Sequence, residues 1–140
     1  MDIYFSFLLA HWELSLATLI VILLIVIYEG HERVRGIAHL SVQRAVELIN
    51  RENAVVLDIR DGKLFKEGHI LHAVSMPIHD FQKKISQIEK YKQQPIILVC
   101  AMGNQSMHAL KILNKHGFKQ VYSLKGGMGA WRLASFPVVM

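Results

Sequence analysis

The chain contains one cysteine, Cys100, within the stretch PIILVCAMGNQSMHALKILNKHG. An apolar run of strand length, Ile96 to Val99, delivers Cys100. Ala101, Met102, Gly103, Asn104 and Gln105 follow, and Ser106 opens a helical pattern that reaches His116 and stops at Gly117. A loop that joins a strand end to a helix start can curl its backbone N–H groups inward, and Gly103 and Asn104 are the residues best able to take left-handed conformations for that curl. Curled amides form an anion nest, to which the helix N-terminus adds partial positive charge. A thiol at the centre of such a nest has its thiolate favoured. The arrangement suits a nucleophile that carries anionic sulfur. A buried cysteine closing an apolar strand is the other reading of these residues, and Met102 belongs either to a core or to a pocket rim.

Other residues with chemical capacity are fewer. Asp58 and Arg60 flank the end of the run Ala54 to Leu57. They are expected near the mouth of a site, where they either pair and hold a loop or leave Arg60 to meet a substrate anion. His69 in Gly-His-Ile reads as a histidine bonded to backbone rather than as a base. His69, His72 and His79 are close in sequence, but no helical or hairpin spacing aligns all three, so no metal is expected. Lys83, Lys84, Lys90 and Lys92 read as a solvated helix face. A single cysteine also excludes a disulfide scaffold or a multi-cysteine zinc site.

These residues need a scaffold, and the pattern supplies one. Ser41 is an expected N-cap for a helix to about Asn50, with Val42, Ala45, Val46 and Ile49 at helical spacing. Ala54 to Leu57 is a continuous apolar run, as in a strand buried on both faces. A short helix near Gly62–Glu67, a short strand at Ala73–Ser75, and a helix from Asp80 to Tyr91 with Phe81, Ile85 and Ile88 inward come next. The strand 96–99, the helix from Ser106, a strand Val121–Leu124, a Gly126–Gly127 turn and a helix from Gly129 to Leu133 complete the series. Strands alternating with helices imply an α/β domain with a central, mainly parallel sheet flanked by helices.

The 140 residues are 52% hydrophobic and 19% charged, which excludes a disordered chain. The charge is unevenly placed. Residues 1–32 hold four acids and no Lys or Arg, so residues 33–140 carry sixteen basic against seven acidic residues, a formal +9. Leu14 to Tyr28 has no charged residue and no polar face, and the apolar character extends back to Phe5. A bilayer core of ~30 Å takes about 20 helical residues, so residues 5–28 are expected as one uncleaved transmembrane helix. Neither a basic leader nor a small-residue cleavage site marks a signal peptide. Arg33 and Arg35 after the span, against Asp2 before it, place the C-terminal side in the cytoplasm, and in a bacterium the membrane would be the inner one. The expected division is a transmembrane helix with flanks in 1–32, a linker in 33–40 and the α/β domain in 41–140. The basic excess also suits anionic headgroups, and no base-stacking or groove-reading motif points to nucleic acid.

Three ordered motifs then carry a resemblance. Val55-Val56-Leu57-Asp58-Ile59-Arg60, followed by Phe65, Gly68-His69-Ile70, Ala73 and Met76-Pro77, resembles the upstream signature of the rhodanese family. Val121-Tyr122-Ser123-Leu124-Lys125-Gly126-Gly127, leading to Trp131, resembles its downstream signature, and Cys100 sits between the two. The similarity covers roughly residues 40–138. It implies a rhodanese-like α/β fold and a sulfurtransferase that holds sulfane sulfur as a persulfide on Cys100. The loop amides of Ala101, Met102, Gly103, Asn104, Gln105 and Ser106 would cradle the outer sulfur or the donor's oxygens. Thiosulfate would be a donor, with cyanide or a thiol as acceptor, and no metal or organic cofactor is implied. Many family members carry Arg after the cysteine and a basic residue at the loop's end, whereas this chain has Ala101 and Gln105. Each lost charge-assisted hydrogen bond costs ~1.5–3 kcal/mol, which points to weaker use of thiosulfate. The same departures favour the alternative of a weak or inactive protein-binding module at the membrane. Phosphatases of the related fold use a loop one residue longer that ends in Arg, and this loop reaches Ser106 without one.

Overall fold

The computed structural model describes the backbone of residues 1–140 and all side chains except those of Phe5, Leu8 and residues 31–38. The chain forms two compact units, Met1–Gly36 and Ile37–Met140.

The first unit is helical. α1 spans Asp2–Ala10 and α2 spans Trp12–Ala38. His11 separates them with φ −123° and ψ 45°, and its carbonyl accepts from the N–H groups of Leu14 and Ser15. The uninterrupted membrane-length helix expected from residue 5 is therefore divided at His11. The part of α2 from Trp12 to Gly30 is 19 residues long, apolar enough to cross a membrane, and unburied within the protein. Residues 33–38, expected as part of a linker, continue α2. Their glycine, Gly36, weakens a helix by about 1 kcal/mol relative to alanine but does not stop it. The side chains of Arg33 and Arg35, on which the expected orientation rests, lie outside the described residues.

The second unit begins with β1, His39–Leu40, and α3, Val42–Glu52. Ser41 caps α3 by accepting from the Arg44 N–H at 3.3 Å, as its type and place predict. Next come β2 (Val55–Asp58), α4 (Gly62–Lys66) and β3 (Val74–Ser75). Between β3 and the next strand, a 3-10 turn at Ile78–Asp80, α5 at Phe81–Lys84 and a 3-10 helix at Ile85–Tyr91 replace the single α-helix expected there. Ile85, Ile88 and Tyr91 recur every third residue, and a helix of three residues per turn brings all three to one face. β4 (Ile96–Val99), α6 (Ser106–Lys115), β5 (Val121–Leu124) and α7 (Gly127–Leu133) complete the chain of elements.

The five strands form one sheet in the order β1-β5-β4-β2-β3, with every pairing parallel. The chain therefore reverses its direction across the sheet, a topology that leaves a crevice beyond the carboxyl ends of the central strands. Side chains of β4 alternate between two cores, because neighbouring residues of a strand face opposite ways. Ile96, Leu98 and Cys100 join Phe81, Ile88, Ala109 and Leu113 on one face, whereas Ile97 and Val99 join Ala45, Leu48, Met128 and Trp131 on the other. Burial on both faces explains the unbroken apolar run of β4. Each such Leu or Ile contributes about 1.5–3 kcal/mol, which holds in place the strand that delivers Cys100.

Candidate active site

Cys100 follows the last residue of β4 and precedes α6 by five residues. Its residue is 1% exposed, yet the sulfur is not sealed in hydrocarbon. A pocket of about 220 Å³ lies over it, lined by Cys100, Ala101, Met102, Asn104 and Gln105. The N–H of Gly103 donates to Sγ at 2.7 Å.

The loop acquires this curl through one left-handed residue. Gly103 has φ +89°, a conformation that costs glycine little and other L-residues more. Asn104, also expected to be suited to that region, does not enter it, and one such residue turns the chain. The space outside Gly103 is closed as well, because a β-carbon there would lie 3.2 Å from the backbone nitrogen of Gly126.

Burial pushes the Cys100 thiol up, since a thiolate loses hydration there. Hydrogen bonds from the Ser106 hydroxyl and from the N–H groups of Gln105, Ser106 and Gly103 outweigh it. The thiol is held below its ordinary value of 9.0. The hydroxyl of Ser106 is wholly buried at the first residue of α6. α6 has ten residues, and its N-terminal N–H groups add the positive end of its dipole to the same point.

The opposite side of the loop is held from α7. The Met128 N–H donates to the Cys100 carbonyl at 2.8 Å, and the Gly129 N–H donates to the Ala101 carbonyl at 3.2 Å. Gly126 and Gly127 have φ +77° and +58°. The expectation that this pair lets backbone pass close to the cysteine loop holds, since a β-carbon on Gly127 has no room beside the Cys100 carbonyl. The anchoring N–H groups of Met128 and Gly129 were not legible in the sequence, because any residue type carries a backbone N–H.

Of the six loop residues expected to supply amides, Gly103 directs its N–H to the sulfur, the N–H groups of Gln105 and Ser106 help to lower the thiol, and Ala101, Met102, Asn104 and Gln105 line the pocket. Met102 is 72% exposed and stands at the rim rather than in a core.

Asp58 and Arg60 form a buried pair. The Arg60 Nε donates to Asp58 Oδ1 at 2.9 Å, and Nη2 donates to Oδ2 at 2.7 Å and to the Gly68 carbonyl at 2.7 Å. The guanidinium thus ties β2 to the segment that begins at Gly68, which supports the holding role over direct contact with an anion. His69 presents Nδ1 to the Phe65 carbonyl at 2.9 Å and stacks on the Phe65 ring at 3.8 Å, in keeping with a structural histidine. Trp131 is buried and donates from its indole nitrogen to the Pro137 carbonyl at 3.1 Å. Among the described residues, no three His, Cys, Asp or Glu side chains gather into a metal site.

Comparison with known proteins places this geometry. Residues 41–134 match the model of the rhodanese-like domain. The Escherichia coli protein YibN is 36% identical over 96 residues, which cover 68% of this chain and 67% of that protein. Thiosulfate sulfurtransferase GlpE of Pseudoalteromonas translucida is 36% identical over 96 residues, covering 69% of this chain and 90% of the enzyme. Among solved structures, a rhodanese-related protein from Thermoplasma volcanium superposes with a TM-score of 0.66 at 26% identity, covering 72% of this chain and 96% of that one.

Proposed function

Because the chain belongs to the rhodanese family, we propose that it is a sulfurtransferase that carries sulfane sulfur as a persulfide on Cys100. One observation carries the reading: the only cysteine of the sequence closes the central strand at the start of a ten-residue helix, under a pocket and with the Gly103 N–H donating to its sulfur at 2.7 Å, surroundings that favour its thiolate. The thiolate attacks the sulfane sulfur of a donor such as thiosulfate, sulfite or a thiol leaves, and the outer sulfur then rests among the loop amides. Attack on that sulfur by cyanide or a thiol returns Cys100 to its thiolate. The lowering of the Cys100 thiol favours the thiolate that the first step uses.

The same proposal places Trp12–Gly30 across a membrane. The basic residues after it, Arg33 and Arg35, favour a catalytic domain on the cytoplasmic side.

The test is the mass of the intact protein before and after a sulfane donor. Wild type gains one sulfur atom, and cyanide removes it. A Cys100→Ser variant that still gains sulfur at this loop, or a wild type that never gains it, overturns the proposal.

A further inference from the structure

We propose that the outer surface of the layer formed by α5, the 3-10 helix Ile85–Tyr91 and α6 docks on an anionic lipid surface, its lysines against headgroup phosphates. The inference rests on the placement of Trp12–Gly30 across a bilayer and is independent of the chemistry at Cys100.

Charge is unevenly divided between the two layers that cover the sheet. Residues 78–92 and 106–120 hold seven lysines against two acids, Asp80 and Glu89, whereas the rest of 37–140 holds seven basic against five acidic residues. The two segments share one side of the sheet, since Phe81, Ile85 and Ile88 pack into the same core as Ala109, Leu113 and Phe118. Lys92 bridges them, with Nζ 5.6 Å from the centre of the Phe118 ring. With the apolar side chains turned inward, Lys83, Lys90, Lys111, Lys115 and Lys119 are left exposed. Lys111 and Lys115 are neighbours on one face of α6, one helical turn apart.

This charge is not balanced from within the protein. Among the described residues, Lys84 alone of these lysines has a carboxylate partner, Asp80 at 3.7 Å. On the other layer, Arg44 pairs with Glu47 at 2.6 Å and Arg60 with Asp58 at 2.7 Å. A face of like charges without counter-charges attracts a polyanion.

The residue types select among polyanions. All seven basic residues of the layer are lysines, while the four arginines of 37–140 lie elsewhere. Lysine is a hydrated point charge that suits a fluid array of headgroup phosphates, whereas arginine suits fixed, planar recognition. Phe81 and Phe118 are buried and offer no ring to a nucleic-acid base. The chain also supplies proximity. Eight residues join Gly30 to His39, at most about 30 Å of chain. A tether this short makes docking on the same bilayer effectively intramolecular, so weak individual attractions suffice.

The experiment reconstitutes the full chain into vesicles of phosphatidylcholine and of phosphatidylcholine with about one third phosphatidylglycerol. A membrane-impermeant acetylating reagent labels the outward-facing domains, and mass spectrometry gives the rate at each lysine. In anionic vesicles, Lys83, Lys111 and Lys115 should label at least about threefold more slowly relative to Lys63 and Lys125 of the same molecules, and about 0.5 M salt should abolish the difference. The reference to Lys63 and Lys125, both exposed, removes any change of surface pH common to all lysines. Lys111→Glu with Lys115→Glu should return Lys83 to its rate in neutral vesicles, and Lys111→Gln with Lys115→Gln is the second pair if the first does not fold. An unchanged ratio in wild-type chain that carbonate washing leaves in the vesicles overturns the lysine face alone. Slowing by an added RNA fragment but not by the anionic lipid assigns the face to nucleic acid and overturns the proposal. Extraction of the chain from both kinds of vesicle by carbonate overturns the bilayer placement and this inference with it.

Discussion

Gly127 lies against the carbonyl oxygen of Cys100 so closely that no β-carbon fits between them. Its φ of +58° independently disfavours any side chain. Gly127→Ala is therefore expected to destabilise the domain by about 2–4 kcal/mol, the range for combined backbone strain and overpacking. The loop should shift and sulfur loading of Cys100 should slow. Denaturant unfolding and the loading assay check both. An unchanged midpoint would show that the α7 anchor is dispensable.

The Ser106 hydroxyl contributes to holding the Cys100 thiol below 9.0. A hydrogen bond to a charged group is worth about 1.5–3 kcal/mol, so Ser106→Ala should lower the thiolate fraction near neutral pH by about tenfold or more. The rate of iodoacetamide alkylation against pH gives the midpoint for each protein. The wild-type midpoint should lie below 9.0 and the Ser106→Ala midpoint above that of wild type. Coincident profiles would remove the hydroxyl from the electrostatics of the site.

The same shift links stability to pH. A thiol whose folded value lies below its unfolded value favours the folded state when ionised, so its contribution is full above the unfolded value. The contribution is lost as pH falls through the folded value. Comparing wild type with Cys100→Ala, the difference in unfolding free energy should change in favour of wild type as pH rises through that window. A flat difference would mean that the loop amides do not favour the thiolate.

The Asp58–Arg60 pair is buried, and its guanidinium also holds the Gly68 carbonyl. Removing one partner leaves the other charged and unpaired in the interior. Asp58→Ala should cost about 3–5 kcal/mol, measured by denaturant unfolding. Replacing both residues with apolar ones of similar volume should cost less than Asp58→Ala alone, since no orphaned charge then remains.

α2 offers a test that does not involve the site. With Trp12–Gly30 apolar and unburied within the protein, the full chain should stay with membranes after alkaline carbonate washing. A chain that begins at Ile37 should be released. Extraction of the full chain by carbonate would show that α2 does not span the bilayer.

Much of the fold was readable from local pattern. The apolar run of β4 met the glycine-bearing loop and the stripe of α6 within a few residues, and those short-range signals placed Cys100 at a strand end beside a helix start. The Ser41 cap was equally local. The helix expected over Asp80–Tyr91 was readable only as an inward face, because Phe81, Ile85 and Ile88 suit both helical periods at that length; packing of Tyr91 beside Ile85 and Ile88 accompanies the tighter winding. The two-residue strand β1 carried no periodic signal and exists through its pairing with β5.

Residue types alone determined that one thiol, a flexible loop and a helix start would meet, since all three lie along one short stretch of chain. They also determined the apolar stretch that precedes the domain. Only the tertiary structure decided which N–H groups reach the sulfur, that Arg60 is held by Asp58 and the Gly68 carbonyl, and that Met128 and Gly129 anchor the loop. These are relations between backbone groups and charges brought together by sheet topology, and a backbone N–H leaves no mark on the identity of the residue that bears it.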